Sequence, residues 1–294
     1  MTPLRIVETP ELREPLLIAA FSGWSDAGAA ASSAAQYLVD RWHATLLGDI
    51  DPEEFYDFSQ LRPTVHWVGE TRKIEWPQNN FYFHRTADRD LIIFSGIEPH
   101  LRWKAYVSAF TEVVDTFKVG SVITLGALNV DFPHTRPVRV TGTAPTDEMA
   151  VRAGLATRGT GRYEGPTGIS GVLTAALRER DIPLGSIWAN VPHYVNAMPN
   201  PTASLAILQS LGSMLDVQIP LGRMIRASAA FKTQLEEATS KNAEVSEYVK
   251  ALEERIDSEL QDDGDDEPPK ELPPAESILQ DIEEFFRQGR DQQS

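Results

Sequence analysis

Three of the six histidines, His100, His134 and His193, directly follow a proline, and each stands just past an apolar run. Polar and aromatic neighbours gather at the same places. Gly23, Trp24 and Asp26 follow residues 16–21, Glu98 and Arg102 flank His100, and Asp131 and Arg136 flank His134. An imidazole beside a carboxylate can act as a general base, histidines with carboxylates can hold a divalent cation, and an arginine can seat an anion. The same Pro-His pairs also serve as loop punctuation, with each ring bonded to backbone at a turn. No complete motif is present: there is no His-Glu-x-x-His, no Gly-x-Ser-x-Gly and no Gly-x-x-x-x-Gly-Lys-Ser/Thr. Catalytic residues therefore stay unassigned, and neither a metal nor a cofactor is expected.

A second candidate is the stretch from Glu164 through Thr167 to Gly171, which puts glycines, a threonine and a serine at the start of an expected helix. Unpaired N–H groups there suit a phosphate or carboxylate. The alternative is a plain helix start, with Pro166 presetting the first turn and Gly168 and Gly171 allowing close packing.

The elements that must position these residues follow from periodicity. Apolar runs at 16–21, 44–50, 64–69, 73–76, 81–84, 91–95, 121–125, 138–143 and 186–191 read as strands. Spacing predicts helices over 25–42, 101–117, 147–156, 169–180 and 202–215, with Ser25 or Asp26 capping the first. Strands alternating with helices predict an α/β protein with a mostly parallel mixed sheet covered on both faces, and a short antiparallel meander between residues 63 and 85. In such a sheet, ligands sit outside the carboxyl ends of the strands, where the polar residues above fall. The predicted core domain spans residues 1–221.

Beyond it, Met224, Ser228, Phe231, Leu235, Ala238, Asn242, Val245, Val249, Leu252 and Ile256 recur in steps of four and three, which predicts one long amphipathic helix over 222–260. Asn242 is the polar residue that would set register if the seam faced a partner; otherwise the helix lies along its own domain. Residues 261–276 read as an acidic, proline-bearing disordered linker. In residues 277–294, Ile278, Leu279, Ile282, Phe285 and Phe286 have the spacing of a short amphipathic helix that needs a surface to dock on.

The 294 residues carry a net charge of −16, and residues 232–294 hold 19 of the 43 acidic side chains but 7 of the 27 basic ones. The acidity belongs to the C-terminal part, and it argues against capture of nucleic acid, which needs a basic face. No apolar stretch reaches the roughly 20 residues that cross a bilayer. With no cysteine and no signal-peptide pattern at the N-terminus, the expectation is a cytoplasmic protein.

Five blocks in order resemble a known family: residues 21–28, 98–103, 125–137, 163–169 and 191–194 are similar to the blocks of the proteasome assembly chaperone 2 family, bacterial branch. The resemblance spans roughly residues 12 to 260. It implies a three-layer α/β/α core of phosphorylase/hydrolase-like fold and self-assembly, with a trimer as the number it suggests. Some relatives carry a C-terminal hydrophobic-Tyr-any tripeptide that enters proteasome pockets; this sequence ends Asp291-Gln292-Gln293-Ser294, so capping through that tripeptide is not expected. Two readings result. One is a non-catalytic assembly-chaperone-like or scaffold protein, homo-oligomeric, meeting a protein partner through its C-terminal helix and tail. The other is an enzyme or small-ligand binder for nucleoside-like, phosphate or carboxylate ligands, using the strand-exit rim.

Overall fold

The computed structural model describes residues 3–155 and 164–259. The linker and terminal segment predicted at 261–294 lie outside the described residues. At the centre is β2 (Leu16–Ser22), whose run Leu-Leu-Ile-Ala-Ala-Phe is buried on both faces, as a strand inside a parallel sheet must be. It pairs in parallel with β7 (Asp90–Ile97) on one side and β8 (Ser121–Val130) on the other, and β8 pairs in parallel with β10 (Leu184–Pro192).

Antiparallel strands complete the sheet: β1 (Leu4–Ile6), β3 (Thr45–Ile50) and β6 (Asn80–Arg85) beyond β7, and β9 (Val140–Thr143) beyond β10. The order is β1-β3-β6-β7-β2-β8-β10-β9. The short β1 was not foreseen, and β8 runs five residues past the predicted 121–125. The expected meander at 63–85 divides in two. Its first part, β4 (Thr64–Val68) and β5 (Thr71–Glu75), forms a separate two-stranded ribbon, and only β6 joins the main sheet.

Alternation along β2 sorts the two cores. Leu16, Ile18 and Ala20 face α1 (Ala30–Trp42), α3 (Asp147–Ala153) and α5 (Pro201–Leu215). Leu17, Ala19 and Phe21 face α2 (Trp103–Thr116) and α4 (Ile169–Arg178), where Phe21, Phe81, Phe94 and Phe110 form an aromatic cluster with centroids 4.6–6.2 Å apart. The predicted α/β/α layers are thus present.

Two helices differ from expectation. α1 begins at Ala30 rather than Ser25, because Gly28 (φ 61°) and Ala29 (φ 51°) turn the chain left-handed within the 3-10 turn at Ala27–Ala29 that precedes it. The single helix predicted over 222–260 is two, α6 (Gly222–Ser240) and α7 (Ala243–Glu259). Asn242 sits at the break and accepts from the amides of Glu244 (2.9 Å) and Val245 (3.2 Å): it caps α7 instead of setting a coiled-coil register. The seam residues Phe231, Leu235, Val245, Val249 and Leu252 fold against Tyr194, Val195 and Ala197 of their own domain.

Candidate functional site

The four parallel strands end at one rim, where connections leave on opposite faces of the sheet, and every candidate from the first two sequence readings lies there or just after it. Contacts sort them into three sets, each tied down by the chain itself.

The first set lies where β2 and β7 end. Gly23 has φ 135°, and a Cβ there would stand 2.8 Å from the Cβ of Glu98, so only glycine allows the close approach. Glu98 uses both oxygens: Oε2 accepts from the Trp24 amide (3.1 Å) and Oε1 from the Ile169 amide (2.8 Å), the first of α4. The helix start that the sequence offers to an anion is therefore engaged by a carboxylate of the chain. Thr167 precedes the Gly168 cap and its hydroxyl donates to the Gly168 carbonyl at 3.4 Å, while Glu164 is exposed. His100 accepts from the Asp57 amide through Nδ1 (3.1 Å), which leaves the proton of the neutral ring on Nε2. Arg102 pairs with Glu54 at 2.5 Å, both side chains more than half exposed, a geometry worth little in water. Ser22, Tyr56, Asp57, Gln60, Glu98 and His100 line a cleft of about 710 Å³ beside them.

Asp26 makes the second set, between β2 and β8. It is 6% exposed, and Oδ1 accepts from the amides of Ala31 (2.7 Å) and Ser32 (3.3 Å) while the Ser32 hydroxyl donates to Oδ2. Burial raises its pKa, and the three hydrogen bonds oppose the rise. Asp26 thus caps α1 across the left-handed kink.

The third set joins the ends of β8 and β10 to α7. Asp131 Oδ1 lies 2.9 Å from His193 Nδ1, and His193 Nε2 is 3.3 Å from the Tyr248 hydroxyl. His134 Nδ1 and the Tyr194 hydroxyl share a hydrogen bond (2.8 Å), and the His134 amide donates to the same oxygen (2.8 Å). Its Nε2 is buried with no hydrogen-bond partner. Desolvation lowers the His134 pKa to about 4, with Glu253 pulling the other way. Arg136 meets Asp257 at 2.6 Å, Thr135 meets Glu253, and Arg255 donates to the Asp131 carbonyl (2.7 Å). Tyr248, Glu253, Arg255 and Asp257 escape the sequence reading because α7 looks like an outward arm; only its folding back reveals them.

Exposed apolar side chains also line the rim, of which the sequence marks Trp24 but not Leu101, Leu128 or Met198. Trp24 (65% exposed), Leu128 (46%) and Met198 (58%) line one cleft of about 500 Å³, with Leu101 (52%) nearby after β7. Leu128 lies on the unforeseen extension of β8, and nothing in the spacing around Met198 marks it. Among the described residues no three His, Asp or Glu side chains gather as a metal site needs, and no helix is long and apolar enough to cross a membrane.

The model of the PAC2 family matches residues 20–239, from the end of β2 through β7, β8, β10 and both helical layers to the last turn of α6. The chain belongs to the PAC2 family. Among solved structures, a PAC2 family protein from Streptomyces avermitilis is 40% identical, with 80% of this chain and 99% of that one covered at a TM-score of 0.72. A proteasome-assembly chaperone homologue from Mycobacterium tuberculosis is 39% identical, with the same coverage and a TM-score of 0.70. An archaeal proteasome activator from Pyrococcus furiosus shares this PAC2 fold at 17% identity and a TM-score of 0.65, covering 80% of this chain and 97% of that one. No curated protein matches the chain.

Proposed function

We propose that this PAC2 protein is a non-catalytic, assembly-chaperone-like scaffold that meets its protein partner at the strand-exit rim and the adjoining α6–α7 arm with its tail. One observation carries the reading: the rim's charged groups with catalytic potential are committed internally, whereas its large apolar side chains are exposed. Asp26 and Glu98 cap helices, Asp131, Arg136 and His193 hold the rim to α7, and His134 pairs with Tyr194 after β10. Trp24, Leu101, Leu128 and Met198 face solvent. Exposed aromatic and aliphatic anchors are what a protein partner desolvates. Kinship with a proteasome-assembly chaperone homologue supports the same reading, to which we add a homo-oligomeric, cytoplasmic body, with a trimer as the number the family resemblance suggests.

Capture of partners from a lysate by the tagged chain tests it. Trp24→Asp with Leu128→Asp should reduce recovery at least tenfold while melting temperature holds; undiminished recovery rejects the rim as the docking surface.

A second reading, a small-ligand site for a nucleoside-like, phosphate or carboxylate compound, is favoured by the 710 Å³ cleft with its serine, tyrosine and histidine lining. It requires such a compound to raise the melting temperature, and His100→Ala to cancel the rise.

A further inference from the structure

The ribbon β4–β5 is exposed at all ten of its strand positions. Pairing sets Val65 opposite Ile74 and Trp67 opposite Arg72, which puts these four side chains on one face; His66 pairs with Lys73 and Thr64 with Glu75 on the other. Val65 is 40% exposed, Trp67 71% and Ile74 57%. A two-stranded ribbon is marginal by itself in water, and an apolar face of this kind marks a docking surface. Its one charge is positive, Arg72.

We propose that this face is covered by residues 277–288 of the same chain. Three observations point to that occupant. The segment carries Ile278, Leu279, Ile282, Phe285 and Phe286 at helical spacing, enough apolar surface to cover Val65, Trp67 and Ile74. Its stripe is flanked by Asp281 and Glu283, and residues 260–294 hold eleven acidic side chains against three basic, which suits a face whose one charge is Arg72. Reach is ample as well. α7 ends at the rim, where Asp257 pairs with Arg136, and β5 leads directly to β6, whose Asn80 lies opposite Ser95 near the end of β7. β7 and β8 flank β2, so their ends are roughly 10 Å apart in the sheet direction. The 17 residues from 260 to 276 extend up to about 60 Å.

The absence of cysteine makes a direct test clean. In the full chain, Ile74→Cys combined with Phe285→Cys should form a disulfide within one chain at least tenfold faster than Val151→Cys combined with Phe285→Cys; Val151 is 82% exposed on α3. In a second full-chain variant, Phe285→Asp with Phe286→Asp should speed amide exchange across residues 64–75, because the uncovered ribbon opens more often. Equal disulfide rates, or unchanged exchange, overturn the proposal. A disulfide formed only between chains overturns it too, and assigns the ribbon to the tail of a second copy. Neither readout depends on the rim's role, so partner capture can fail while this contact stands.

Discussion

The charged residues of the rim act first on the fold. Glu98 joins the turn after β2 to the start of α4, so Glu98→Ala should cost about 2 kcal/mol in chemical denaturation, the range for losing hydrogen bonds to a charged acceptor. Loss within error would mean that water replaces the carboxylate at no cost. His134 gives a pH signature. Its folded pKa, about 4, lies below the ordinary 6.5, so the unfolded chain binds the proton first. The stability it contributes is complete above pH 6.5 and is lost as pH falls towards 4, at most about 3 kcal/mol from a gap of about 2.5 units. His134→Phe should start about 1–2 kcal/mol less stable at pH 7, because the Tyr194 hydroxyl loses its ring partner, and then show a flatter decline. Parallel declines for the two proteins would remove His134 as the cause. At this scale the identities of the rim residues are legible in the sequence, but their tasks are not. Whether Asp26 waits for a ligand or caps α1 depends on the kink at Gly28 and Ala29, which no spacing announces.

Elements were more legible than residues. Apart from the late start of α1 and the extension of β8, the central strands and the five helices of the core lie where periodicity places them, since a doubly buried strand such as β2 and an amphipathic helix such as α2 write their burial directly into apolar spacing. The break between α6 and α7 was hidden because both halves keep the same four-and-three spacing, and an asparagine in that register reads equally well as a coiled-coil position or as a cap. The difference is measurable. Asn242→Leu strengthens association in a coiled coil, whereas at a cap it costs about 1 kcal/mol of stability and leaves assembly unchanged. Thermal melts together with sedimentation decide between them, and tighter self-association in the leucine variant would reject the cap. The ribbon was misjudged for a related reason. Short strands near one another suggest a meander, but β4 and β5 alternate towards solvent on both faces, which only their isolation from the sheet explains.

On the scale of the molecule, most of the exposed large apolar residues fall into a rim group and a ribbon group, with Val7, Val151 and Ile225 standing apart from both. Self-association through the rim group would join copies by side chains, and sedimentation over a wide dilution range should then show one discrete species rather than a ladder of sizes. A ladder would mean that the joining surfaces do not close on themselves. The borders of the large sheet bear on the same point. On one side it finishes with β1, three residues long, and on the other with β9, four residues long, both antiparallel to their neighbours. Such brief margins offer an incoming strand almost no backbone to template on. The parallel interior, with the longest and most aggregation-prone strands in the protein, is thereby fenced against fibril growth, and the chain can present sticky side chains at its rim without becoming a seed for polymerisation.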